Sequence, residues 1–271
     1  MLSDGTATVL ARLGFACRGL VYVLVGWLAV QTAFSGGDAA DNQGALASLG
    51  GGPAASVVLG IVAAGLIGYA LWRATEAVAG ARVGMDAKDT LKRAGHGVSA
   101  VTHLLLASSA IGLALHPGRG GATSPGDESA RDWTAWLLEQ PFGPWLVGAV
   151  ALCLLVGSGL QAKKAWTGSF AEDLGGDVPA PDFARTIGRI GYGARAMVFA
   201  VMSLFFFMAA WRARAAEAGG VSDALGAMRD QPGGVVILVA IGIGLALFGV
   251  FGFVEARYRR IRVTLPAVAR A

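Results

Sequence analysis

Cysteine and histidine are nearly absent from this chain, with two and three residues in 271. The cysteines, Cys17 and Cys153, sit in apolar stretches and form no disulfide framework or metal-ligand spacing. Each is expected to act as a small packing residue. Charge is scarce too. Asp, Glu, Lys and Arg make up 15% of the residues, against about a quarter in a soluble domain. No glycine-rich phosphate loop, zinc-ligand pattern or nucleophile elbow occurs. No catalytic residue, metal site or cofactor is therefore assigned. Carboxylates are missing from the middle of the apolar stretches, and so is proline. Ion-coupled transporters place binding groups and broken helices there.

What is present is hydrophobic, at 55% of the chain, and rich in glycine. Apolar runs of about 20 residues, enough to cross a hydrocarbon core, extend from about Leu13 to Phe34, Val57 to Ala79, Val98 to Leu115, Trp145 to Ala162, Ile190 to Trp211 and Val235 to Val254. Helix is the expected conformation, because an open sheet leaves unpaired backbone groups in lipid. The first run belongs to an internal repeat, so it reads as a helix rather than a cleaved leader.

Of the 22 basic residues, only Arg119, Arg131, Arg212, Arg214 and Arg229 fall on one side of these spans. The other side has Arg12, Arg82, Lys88, Lys92, Arg93, Lys163, Lys164, Arg185, Arg189, Arg257, Arg259, Arg260, Arg262 and Arg270, with Arg18, Arg73 and Arg195 just inside spans near it. Cytoplasmic loops carry the excess of Lys and Arg, which places both termini in the cytoplasm. The net charge of +4 then serves topology, and nucleic acid is not an expected partner. The basic tail from Arg257 to Arg262 orients the last helix, and anionic lipid could bind there.

Self-similarity is pronounced. Arg12-Leu13-Gly14-Phe15, Arg93-Ala94-Gly95-His96 and Arg189-Ile190-Gly191-Tyr192 share an Arg-x-Gly-ring opening, followed six residues after the Arg by Arg18, Ser99 or Arg195. Each opening leads into a span, a loop with a short amphipathic segment (45–49, 133–140, 224–231), a proline (Pro53, Pro141, Pro232) and a second span. This divides one membrane domain, 1–271, into repeats at 10–82, 91–168 and 187–260. The fold expected is all-α: six transmembrane helices as three two-helix units about a pseudo-threefold axis. The opening Arg is expected to reach the lipid headgroups, the glycine to admit a close backbone, and the amphipathic segments to lie in the interface. The prolines fall where a membrane helix starts. Tryptophans near span ends form an aromatic belt.

The triplicated openings, the phrase Gln140-Pro141-Phe142-Gly143-Pro144-Trp145 and the run Gly68-Tyr69-Ala70-Leu71-Trp72-Arg73 resemble the bacterial membrane proteins catalogued as domain of unknown function 1206. The resemblance covers about Leu10 to Arg260. It implies an architecture and a place in the bacterial cytoplasmic membrane. It implies no activity.

Ionisable groups inside spans are costly and become the candidate sites. Glu76 and Glu255 lie at one offset from Pro53 and Pro232, at the depth of Arg18 and Arg195, and the expected ion pairs are Arg18–Glu76 and Arg195–Glu255. The middle copy breaks the pattern, with Ser99 and Lys164 in those places and His103 where the others have Tyr22 and Phe199. A ring recurs there, which favours packing. His96 and His116 are expected at opposite interfaces, and a single deep histidine does not supply bis-histidine haem ligation. Two functions fit: a non-enzymatic scaffold or accessory subunit that contacts other membrane subunits or anionic lipid, or a small-solute channel or transporter whose path passes Tyr22, His103 and Phe199.

Overall fold

A computed structural model describes residues 4–35, 40–49, 52–78, 87–116, 125–175 and 179–260. Arg82, Arg119, Arg262, Arg270 and the side chains of Lys88 and Lys92 lie outside the described residues. Among the described residues, six helices are long and apolar enough to cross a membrane. They are α1 (Asp4–Ser35), α3 (Pro53–Val78), α4 (Ala87–Leu115), α6 (Gly143–Thr167), α7 (Phe183–Arg212) and α9 (Gly234–Tyr258). In the described parts of the intervening loops lie three short α-helices, α2 (Asn42–Ala47), α5 (Pro125–Leu138) and α8 (Val221–Arg229), and two 3-10 turns, Ser169–Asp173 and Ala215–Glu217. The short α-helices are the amphipathic segments of the repeat, with α5 starting earlier than its Trp133.

The prolines start helices in two ways. Pro53 is the first residue of α3. Pro141 and Pro232 instead stand two residues ahead of α6 and α9, each followed by a left-handed residue, Phe142 (φ 64°) and Gly233 (φ 75°). Glycine adopts that conformation freely, whereas phenylalanine is held in it at about 1–2 kcal/mol.

Packing does not follow the repeats. The most extensive contacts are α1 with α9, α3 with α4 and α6 with α7, each joining the first span of one copy to the second span of another. Within a copy, α1 packs less extensively on α3, and α7 on α9. The hairpin contact of the middle copy is missing: α4 and α6 do not pack as their counterparts do. The order is therefore α4, α3, α1, α9, α7, α6, a row that curls until Lys164 of α6 is within electrostatic range of Arg73 of α3. The two end helices are the least covered. In α4 and α6, 17% and 22% of the span is buried, against 33–50% in the other four.

Glycine explains the tightest contact. Gly19 and Gly26 of α1 meet Gly249 and Gly242 of the antiparallel α9 at the same spacing of seven. A Cβ on Gly26 would stand 2.4 Å from the Gly242 carbonyl oxygen. Small residues set this backbone approach because apolar surface gains nothing by leaving lipid for another apolar surface. The aromatic core sits beside it: Phe15, Tyr69 and Trp72 at one side, Phe170, Tyr192, Phe248 and Phe251 at the other. Trp72 is buried in this core, while Trp145, Trp166 and Trp211 are at least four-fifths exposed near span ends.

Candidate functional site

The polar residues at membrane depth collect at the end of the bundle where α1 begins and α9 ends. Arg18 is buried there, and it does not reach Glu76. Its Nη2 donates to Glu255 Oε2, and its Nη1 donates to the Tyr69 hydroxyl at 2.8 Å. Glu255 is 1% exposed and also accepts from Arg259 Nη1, while Arg259 Nη2 donates to Asp173 Oδ2 at 2.8 Å. Glu76 instead accepts from Arg73 of its own helix at 2.9 Å and lies 3.4 Å from His96 Nδ1 of α4. Arg73 Nε donates to Tyr69, so one hydroxyl joins both arginines. The expected Arg18–Glu76 and Arg195–Glu255 clasps are thus corrected. The depth was right and the partner was wrong, because the carboxylate across from Arg18 is on α9 of another copy.

Arg195 has no carboxylate within ion-pair distance among the described residues. Its guanidinium stacks on the rings of Phe248, Tyr22 and Phe199 at 4.5, 5.1 and 5.3 Å, and its buried Nε has no hydrogen-bond partner. Desolvated cation–π contacts of this kind are worth about 2 kcal/mol. Lys164 lies over the Tyr192 ring at 5.4 Å, with Glu255 in electrostatic range but no carboxylate within ion-pair distance among the described residues. His103 is half-buried, 4.6 Å from the Tyr69 ring, with Nδ1 2.7 Å from the Ser99 carbonyl oxygen. Arg18, Arg73 and Arg195 are all within its electrostatic range. Ser99 contributes its backbone.

The opening motif acquires a different role from headgroup anchoring. Arg93 Nε donates to the Ala77 carbonyl at 2.7 Å, and Arg189 Nη2 to the Trp166 carbonyl at 3.0 Å. Each satisfies a last carbonyl of the preceding copy's second span, where the helix dipole also favours a cation. Arg12 is half-buried at the corresponding place on α1. The glycines behave as expected in two copies out of three. A Cβ on Gly14 would meet Tyr69 Cβ at 2.3 Å, and one on Gly191 would meet Phe248 Cα at 2.7 Å. Gly95 has nothing within 4 Å. Its missing neighbour is α6.

The three openings bound three matches to one family model, described as Domain of Unknown Function (DUF1206), over residues 13–80, 94–168 and 190–259. The chain belongs to this family. It is similar to "Uncharacterized protein YxxB" of Bacillus subtilis (strain 168), at 30% identity over 254 residues, 92% of this chain and 90% of the relative. No solved structure matches it. Family and spans together make it a multi-pass membrane protein with helices in contact with the bilayer.

At the opposite end, carboxylates hold the three short helices together. Asp41 caps α2 through Gln43 N and Gly44 N, and its other oxygen accepts from Gly126 N of α5 at 2.7 Å. Asp127 of α5 in turn accepts from Asp223 N of α8 at 3.1 Å, and Asp223 pairs with Arg131 at 2.6 Å. A cleft of about 650 Å³ opens beside Asp127, Asp223, Arg131 and Phe205. Sequence periodicity located these helices, but not the aspartates that link them. The available signal was an acid near the start of each segment.

Burial, reinforced by the carboxylates of Asp223 and Asp41, pushes Asp127 up to about 6. Its ordinary value is about 3.9. The folded chain therefore binds this proton more tightly than the unfolded one. Stability from this group is full below about pH 4 and is lost as the pH rises through about 6. Asp127→Asn is expected to flatten the thermal stability profile between pH 4 and 7, raising the melting temperature at pH 7 relative to the wild type. An unchanged profile in a pH series of melting curves would show that Asp127 does not titrate there.

Proposed function

We propose that this chain is a non-enzymatic accessory protein of a membrane assembly that holds a membrane lipid in the seam between α4 and α6. One observation carries the reading. The glycine that clamps the hairpin in the first and third copies faces open space in the middle one. Gly95, Val98, Thr102 and Leu105 stand at i, i+3, i+7 and i+10 of α4, a single helical stripe, and all four are exposed. On α6, Ala149, Cys153, Val156 and Leu160 form a matching exposed stripe. The repeat supplies two interacting faces, and the described residues leave them apart. Apolar chains of a lipid fill such a groove without unpaired polar groups.

The ring interior favours this reading over a solute path along the axis. Tyr22 packs on Phe248 with centroids 4.9 Å apart, Tyr69 packs on His103, and Arg195 closes over Tyr22 and Phe199. The residues that would line a path are stacked on one another. We further read the alternation of strong and weak contacts as a pseudo-threefold ring interrupted once. On the distribution of Lys and Arg, we place its termini-bearing end in the cytoplasm of a bacterium, with the ring in the inner membrane.

A photo-crosslinking residue at Val98 or Val156 is expected to give discrete lipid adducts in native membranes. The same residue at Val236, which is 73% exposed on α9, should yield only the bulk lipid pattern. Identical patterns at all three positions would remove the seam as a holding site. A protein adduct at the seam would replace the lipid with a subunit.

A further inference from the structure

We propose that Arg195 and Lys164 form a binding site for the anionic phosphate headgroup of a phospholipid; this deepens the seam reading and rests on it. The cations gathered at this end of the bundle are unevenly paired. Arg18 has Glu255, Arg259 has Glu255 and Asp173, and Arg73 has Glu76. Among the described residues, Arg195 and Lys164 have no carboxylate within ion-pair distance.

The repeat shows why. Arg18 and Arg195 stand at one position of the repeat, six residues after the opening Arg. Glu255 and Lys164 stand at another, 23 residues after Pro232 and Pro141. α1 packs on α9 as α7 packs on α6, so Lys164 occupies, relative to Arg195, the place that Glu255 occupies relative to Arg18. Where the first interface has an ion pair, this one has two cations. They are within electrostatic range of each other, and Arg73 and Arg259 add to the field at Lys164, while the one carboxylate in that range, Glu255, is already held by Arg18 and Arg259. An anion placed between them supplies the charge that the sequence omits. Arginine provides a planar fork for phosphate oxygens and lysine a point charge.

Position favours a lipid as the source of that anion. Lys164 is three residues from the end of α6, and its side chain is exposed. Arg195 turns toward the bundle interior, under Phe248. α6 forms one edge of the seam, so a headgroup at Lys164 leaves the acyl chains beside the stripe of Val156 and Leu160. His103 of α4, within range of Arg195, lies at the other edge.

The test uses the full chain in nanodiscs of phosphatidylcholine containing a minor fraction of phosphatidylglycerol, with retained lipid read by native mass spectrometry after exchange into neutral detergent. Selective retention of phosphatidylglycerol is expected. Lys164→Gln and Arg195→Gln should each weaken it about tenfold or more. Lys164→Glu should abolish it and raise the melting temperature in pure phosphatidylcholine, because a carboxylate then faces Arg195. Arg189→Gln, which loses only a helix-capping bond, should retain the lipid as the wild type does.

Equal retention of the two lipids, or retention indifferent to Lys164 and Arg195, overturns the headgroup site. Displacement of the lipid by inorganic phosphate, with equal stabilisation by phosphate alone, reassigns the site to a free anion and overturns the lipid. If the seam still gives discrete adducts when either result is obtained, the accessory reading stands without the headgroup site. Retention that depends on Lys164 together with bulk adducts at Val98 and Val156 overturns the seam instead.

Discussion

Arg18→Met should destabilise the folded chain by on the order of 3–5 kcal/mol, because it strands a buried carboxylate. Glu255 is 1% exposed and accepts from two arginines, Arg18 on one oxygen and Arg259 on the other. Removing Arg18 leaves one oxygen without its charged donor and the Tyr69 hydroxyl without one of its two. The double variant Arg18→Met/Glu255→Met should recover most of the loss, since Arg259 keeps Asp173 and no charge is left stranded. Glu76→Gln should cost no more than about 1 kcal/mol, because its pair with Arg73 is partly exposed and an amide can still accept. The measurement is thermal unfolding in one detergent across the four proteins. A Glu76→Gln loss as large as that of Arg18→Met would contradict the pairing, as would a double variant no better than the single.

Gly26→Ala is expected to separate α1 from α9 and to remove most of the folded protein. Its new Cβ would fall 2.4 Å from the Gly242 carbonyl oxygen and 2.5 Å from Ala246 N. Both are backbone atoms in the middle of a helix, so no rotamer change relieves the contact. Overpacking commonly costs about 1–3 kcal/mol where side chains can shift, and this site should lie at or above the upper end. The consequence reaches beyond one pair of helices, because α1 against α9 joins the first copy to the third. Gly112→Ala on α4, where nothing lies within 4 Å, is the matched control and should be neutral. Monodisperse yield on gel filtration and the melting temperature read both. Equal behaviour of the two alanines would show that the close approach does not support the fold.

These two variants also mark how far the sequence could be read. The spans, their number and the three openings were legible because each rests on a one-dimensional signal: apolar length, or a pattern at a fixed offset. The six observed helices contain the predicted spans throughout the described residues, extending them mainly by the turns that hold Arg12, Arg93 and Arg189. The candidate residues were legible for the same reason, since a charge inside an apolar run stands out. Tyr69, Arg73, Arg259 and Asp173 were missed as members of the network. Tyr69 and Arg73 are one turn apart on α3, but a tyrosine in a span reads as packing until two guanidinium groups are found on its hydroxyl. Asp173 belongs to a 3-10 turn outside any span and carries no periodic signal.

The sequence by itself determined depth. Glu76 and Glu255 are each 23 residues beyond their prolines, and a helix rises 1.5 Å per residue, so both were bound to lie level with Arg18 and Arg195. Azimuth and neighbour were left to the tertiary structure. α3 stands between α1 and α4, and α9 between α7 and α1, so each of these second spans meets the first span of its own copy and that of another. The same count of residues satisfies either partner. Glycine decided between them: Gly19 and Gly26 bring α1 against α9 closely enough for Arg18 to reach Glu255, while Gly95 finds no partner and the middle copy stays open.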